Sequence, residues 1–108
     1  MRITVPTARV LAALLADPDA DHYGLELMQA AGLASGTLYP ILRRLTEAGW
    51  LTASWEDVDP AEAGRPARRY YRLTAEGATE ARRALAELRA QTTPGSPLGR
   101  PATGGGAW

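Results

Sequence analysis

The sequence predicts a mainly α fold with a small β-wing. Apolar residues recur at intervals of three and four in four separate stretches, the mark of amphipathic helices. Two short runs rich in aromatic and β-forming residues, around 50–55 and 68–73, read as strands. Between the second and third helical stretches only Gly32-Leu33-Ala34 intervenes, a tight glycine-containing turn.

Residues 1–5 are a short lead. Pro6 suits a first helical turn, and Val10, Leu11, Leu14 and Leu15 follow at helical spacing, predicting a helix from Pro6 to Ala16. Asp17-Pro18-Asp19 ends it, because a proline disfavours helical geometry in the residue before it. Asp21 is placed to cap a second helix from His22 to Ala31, with Tyr23, Leu27 and Met28 or Ala30 inward and Gly32 closing it. Ser35 caps a third helix, whose stripe Leu38, Ile41, Leu42, Leu45 and Ala48 faces a core and which Gly49 terminates. Pro40 removes one hydrogen bond near its first turn, to Gly36, at a cost below the ~3 kcal/mol of a mid-helix proline.

Trp50 to Trp55 alternates large apolar with small polar residues, as a half-buried strand does. Asp59 to Ala67, with two prolines and Gly64, is a loop, and Arg68 to Leu73 a second strand. Thr74 caps a last helix to about Gln91, with Gly77, Ala81, Leu85 and Leu88 on one face. The elements compose a three-helix winged helix-turn-helix plus a C-terminal dimerisation helix.

With 108 residues the chain holds one domain, over 1–91, followed by a Pro/Gly-rich tail over 92–108 with too little apolar surface to order itself. Trp108, after three glycines, belongs to that tail. There is no cysteine, so disulfides, thiolate metal sites and cysteine nucleophiles are excluded. No apolar run approaches the roughly 18 residues of a membrane span and no signal-peptide pattern follows Met1, so a cytoplasmic location is expected.

Net charge is zero, yet it is segregated. Asp17, Asp19, Asp21 and Glu26 form one acidic block and Glu56, Asp57, Asp59 and Glu62 another. Arg65, Arg68, Arg69 and Arg72 crowd together with no acid among them, and all twelve basic residues are arginine. Each offers a forked guanidinium that can grip a phosphate or a guanine, so a positive face can exist on a neutral chain.

The third helix carries Thr37, Tyr39, Arg43 and Arg44 on its outer side. Hydroxyls near the start of a helix and arginines along its face suit the DNA major groove. Arg43 shares a side with Tyr39, whereas Arg44 diverges and is equally suited to a salt bridge or to solvent. Tyr39 has an alternative as a half-buried ring packed on the first helix. Ser35 serves as cap, phosphate ligand or both. Arg65 and Arg68, at the wing tip and the strand entering it, are placed to touch backbone or minor groove; Arg69 and Arg72 have the structural alternative of stacking on Tyr70 or Trp55.

Tyr23-Gly24, Glu26-Leu27, Ser35-Gly36-Thr37-Leu38-Tyr39-Pro40, Leu42-Arg43-Arg44-Leu45 and Gly49, with Trp55, Gly64-Arg65-Pro66, Tyr70-Tyr71-Arg72-Leu73-Thr74 and Gly77, stand in one order and spacing. In these residues the chain resembles the PadR family of winged helix-turn-helix transcriptional regulators. Leu25 stands where an aromatic is common, Trp50 where an aliphatic usually follows the glycine, and Arg69 replaces a frequent lysine. The resemblance implies homodimerisation through terminal helices, binding to a palindromic operator in double-stranded DNA, and repression, relieved in some members by a small aromatic or lipophilic effector. It also implies that Tyr39 lies on DNA.

A domain of this size buries only about 60–65 per cent of its unfolded surface, so Val10 and Leu14 with Leu85 and Leu88 are expected to pack between two subunits. Trp50 and Trp55 either line a slot at that interface or belong to the core. His22, the lone histidine, has no second strong metal ligand, so neither a metal nor another cofactor is expected. Ser, His and Asp occur without a nucleophile elbow, and Gly104-Gly105-Gly106 has no adjoining strand or helix to make a phosphate loop, so an enzyme is not expected. The alternative to a DNA-binding regulator is a winged-helix module that binds a protein partner and no DNA.

Overall fold

The computed structural model describes residues 2–92; the tail from residue 93, Trp108 included, lies outside them. The order of elements is α1 (Val5–Leu15), β1 (His22–Tyr23), α2 (Gly24–Ala31), α3 (Ser35–Glu47), β2 (Leu51–Trp55), α4 (Pro60–Ala63), β3 (Arg69–Leu73) and α5 (Ala75–Thr92). Helix α1 starts one residue earlier than its spacing predicts because Thr4 caps it, the threonine hydroxyl accepting from the Thr7 N–H at 3.3 Å. Pro6 sits in its first turn, where a missing N–H leaves no bond unmade.

The second helix departs from expectation. His22 and Tyr23 are not helical but form a strand antiparallel to β3, His22 opposite Tyr71 and Tyr23 opposite Tyr70. The helix therefore begins at Gly24 with Tyr23 as its cap residue, whose backbone N–H donates to Glu26 Oε1 at 3.3 Å. Asp21 is not the cap; its carboxylate accepts from Arg72 Nε at 3.0 Å. The expected two-stranded wing thus becomes a three-stranded sheet, ordered β1-β3-β2. A two-residue strand has no period of its own, and only its long-range partner reveals it.

Helix α3 also starts differently. Ala34 is its cap position, with no side-chain hydrogen bond, and Ser35 is its first helical residue, so the capping role expected of Ser35 is not taken. The Ala34 carbonyl instead receives the Thr37 and Leu38 N–H groups, both at 3.0 Å. Pro40 is accommodated inside the helix. In the wing, Leu51 opposite Leu73, Ala53 opposite Tyr71 and Trp55 opposite Arg69 share the face that looks toward α3, while Ser54 opposite Tyr70 turns outward. The loop expected over Asp59–Ala67 contains the single-turn helix α4, capped by Asp59 Oδ1 accepting from the Ala61 N–H at 2.9 Å.

Thr74 anchors α5, as its sequence position predicts. Its hydroxyl accepts from the Gly77 N–H at 2.9 Å and donates to the Gly49 carbonyl at 2.8 Å, so the last helix is tied to the end of α3. The core is built from Val10, Leu11 and Leu14 of α1, Leu27 of α2, the Leu38, Ile41, Leu42 and Leu45 stripe of α3, and Tyr71, Leu73 and Ala81 behind them. Each leucine so enclosed stabilises the fold by about 1.5–3 kcal/mol. Trp50 belongs to this core, with an edge bordering a groove beside α5. Val10 and Leu14 are 0% exposed within one subunit, which corrects the expectation that they face a partner: α2, α3 and α5 already cover them. Leu85 and Leu88 of α5 are half-buried.

Candidate nucleic-acid interface

With its apolar stripe turned inward, α3 leaves two rows of side chains outside. Tyr39 and Arg43, four apart, form one; Thr37 and Arg44, seven apart, form the other. Ser35 is exposed in the first turn, where helix N–H groups have no partner within the helix. The Tyr39–Arg43 row leans toward the wing. Tyr39, Arg43 and Arg69 line one cleft, floored by Ala53 and Tyr71, and Glu47 also borders it. Tyr39, Arg68 and Arg69 line a second cleft, closed by Tyr23, Gly24 and Gln29, with Leu25 and Glu26 also on its border. One tyrosine and three arginines from α3 and β3 with its approach therefore border a continuous solvent-open surface.

The side chains of that surface are held in different ways. The Tyr39 ring, 43% exposed, rests on Gly24 at the start of α2, so closely that no larger residue could stand there with the ring in place. The Arg68 guanidinium lies 5.6 Å from the centre of the Tyr23 ring and that of Arg69 5.1 Å from Trp55. Such cation–π contacts are worth ~0.5–1 kcal/mol at exposed sites and leave the N–H donors available.

Arg65 is engaged otherwise. Its Nη1 and Nη2 donate to the two carboxylate oxygens of Glu56 at 2.6 and 3.1 Å, and Nη1 also to the Pro66 carbonyl at 3.2 Å. Glu56 Oε1 further accepts from the Arg68 N–H at 3.2 Å. These hydrogen bonds and charges hold the Glu56 carboxyl at about 2, well below its usual 4.5, and raise Arg65 above its own ordinary value. The pair clasps the two sides of the wing near its tip. Arg72 is turned to Asp21, joining β3 to the residue before β1.

The geometry thus brings Tyr39, Arg43 and Arg68 together, puts Ser35, Thr37 and Arg44 elsewhere on the outside of α3, and ties Arg65 to an acid. Arg69, which residue type alone left between contact and support, sits at the junction of both clefts. Pairing the hairpin inward from its loop sets Trp55 against Arg69, and that register is the signal that marks it. Among the described residues no cluster of His, Asp and Glu could hold a metal ion, and no helix is long and apolar enough to cross a membrane.

Residues 10–83 match the model of the transcriptional regulator PadR-like family. Solved structures share the fold. A PadR-like transcription factor from Bacteroides fragilis aligns with a TM-score of 0.57 at 24% identity, over 77% of this chain and 82% of its own. The protein smu.1704 from Streptococcus mutans aligns with a TM-score of 0.66 at 27% identity, over 95% and 97%. The PcaV transcriptional regulator from Streptomyces coelicolor, solved with its natural ligand, aligns with a TM-score of 0.59 at 30% identity, over 82% and 58%. No curated protein matches the chain. The match over 10–83, on a winged helix whose outer helix and wing present tyrosine and arginine side by side, places the chain in the PadR-like family of DNA-binding transcriptional regulators.

Proposed function

We propose that this regulator binds a palindromic operator as a homodimer and represses transcription from it. The observation that carries the reading is the convergence of Tyr39, Arg43, Arg68 and Arg69 on one open surface. In the proposed complex α3 lies in the major groove, with Arg43 on base edges and Tyr39 on the backbone, while Arg68 and Arg69 meet the flanking phosphates. Ser35 and Thr37 contribute hydroxyls at the helix start, and Arg44 reaches the opposite backbone. Arg65 adds charge only when its clasp with Glu56 opens.

The dimer in this reading forms through residues 75–92, where Leu85 and Leu88 are half-buried and a groove runs along the helix. Its apolar side is Ile3, Trp50, Ala84 and Leu88 and its polar side Glu80, Arg83, Glu87 and Gln91. Two such subunits put their α3 helices about one helical turn apart on DNA, near 10 bp between half-site centres. The domain is taken as residues 1–91, with 92–108 as an appended tail. The natural ligand in the PcaV structure supports an effector for this chain too, and the family resemblance gives it a small aromatic or lipophilic character.

A titration of duplex DNA against salt tests the reading. Affinity should fall steeply as salt rises, because each neutralised phosphate releases counterions. Sedimentation at micromolar concentration should give a dimer. The second reading, a protein-binding module, draws on the zero net charge and on Leu25 and Trp55, 63% and 61% exposed. It predicts negligible retention of DNA even at low salt.

A further inference from the structure

We propose that Trp55 is a positioning residue for DNA binding, its indole holding the Arg69 guanidinium over the cleft that Arg69 shares with Tyr39 and Arg43. The inference rests on the DNA-contacting role given above to Arg69.

Leu51, Ala53 and Trp55 follow one another along the same face of β2. Leu51 is buried, Ala53 half-buried, and Trp55 is 61% exposed, so this face runs out of the core before it reaches the indole. Core packing therefore does not account for the largest side chain of the strand standing at its exposed end. Directly across the ladder is Arg69, with its guanidinium 5.1 Å from the ring centre.

The other wing arginines show why the type of partner matters. Arg65 gives both terminal nitrogens to Glu56, and Arg72 gives its Nε to Asp21. A carboxylate holds a guanidinium by consuming its donors and cancelling its charge. A π face holds the cation from one side, keeps the charge, and leaves all five N–H groups in the plane for phosphate or base edges. Glu47 borders the same cleft and forms no ion pair with Arg69. Fixing this long side chain before DNA arrives removes part of the ordering cost of binding.

The test is a fluorescence-anisotropy titration of the full chain with a labelled random-sequence duplex at low salt, where phosphate contacts dominate. Trp55→Ala should weaken binding by roughly two- to fivefold, with cooperative unfolding retained and only a small fall in its midpoint. Trp55→Phe should recover most of the loss and Trp55→Leu should not. In an Arg69→Ala background, Trp55→Ala should add almost nothing, since the group it holds is gone. Additive losses, or Trp55→Leu binding as well as Trp55→Phe, overturn the proposal while leaving DNA contact by Arg69 intact. Arg69→Ala binding like the unmodified chain overturns that contact, and the role of Trp55 falls with it.

Discussion

The phenol of Tyr39 stands over the α-carbon of Gly24, in the space where any other residue's side chain would begin. A residue of the outer helix is thereby braced on the first turn of α2, and its ring borders both clefts. The obstructing atoms are the tip of a side chain, not backbone, so the ring can swing aside. Gly24→Ala should therefore change stability by less than about 1 kcal/mol and yet weaken DNA binding several-fold. Urea unfolding and a DNA titration on the same variant check this. A large stability loss, or unaltered binding, would show that the brace has no bearing on the interface.

Gly77 faces the opposite situation. A side chain there would meet the backbone carbonyl and α-carbon of Trp50, which cannot move without lifting α5 from the end of α3. Gly77→Ala is expected to destabilise the fold by about 1–3 kcal/mol, as overpacking does. Thr74→Ala should cost about 1–2 kcal/mol, because one hydroxyl both caps α5 and bonds Gly49. Urea midpoints for the two variants separate this hinge from the DNA face, since neither residue lines the clefts beside Tyr39.

The elements that the sequence made legible are those whose signal is local. The stripe Leu38, Ile41, Leu42 and Leu45 lies inward as its spacing requires, whereas Ala48, expected to continue it, is exposed at the end of α3. Thr74 caps α5 as its position requires. The exceptions were settled by distant partners. His22 and Tyr23 carry no strand period, and become one only because Tyr70 and Tyr71 pair with them. Val10 and Leu14 look like a face free to meet another subunit until α5 covers them. At the interface, composition shows that arginines cluster but not what each one holds: Arg65 takes Glu56, Arg72 takes Asp21, and Arg69 takes a ring. Stacking on Trp55 is a structural alternative that the residues themselves offered for Arg69. The acid partners of Arg65 and Arg72 are set instead by the wing loop and by the β1–β3 pairing, which residue type does not encode.

The Glu56–Arg65 clasp sets a pH dependence with a definite sign. The Glu56 carboxyl is held at about 2 in the folded chain against 4.5 without its partners. Its stabilising contribution is therefore complete above about 4.5 and is lost as pH falls through about 2. Glu56→Gln removes the charge at every pH, so its urea midpoint should lie below that of the unmodified chain at neutral pH and converge with it toward pH 2. Amide exchange at Arg68, whose N–H bonds Glu56, should accelerate in the same variant. Parallel midpoints across that window would mean that the clasp does not hold the wing closed.

Arg43 and Arg44 are neighbours on one helix, and their substitution should have different consequences. Arg43 shares a cleft with Tyr39 and Arg69, pointing along the side of α3 that the wing frames, whereas Arg44 is exposed on the row with Thr37. A guanidinium that reads a base discriminates between sequences, by about 1–3 kcal/mol for a bidentate contact, while one on phosphate binds all sequences alike. Arg43→Ala should therefore narrow the gap between selected and random duplexes by that amount. Arg44→Ala should weaken both together and reduce the slope of affinity against salt by about one. Duplexes selected from a random pool supply both probes. If Arg43→Ala weakens every duplex equally, Arg43 belongs with the phosphate contacts, and sequence reading must come from another residue on α3.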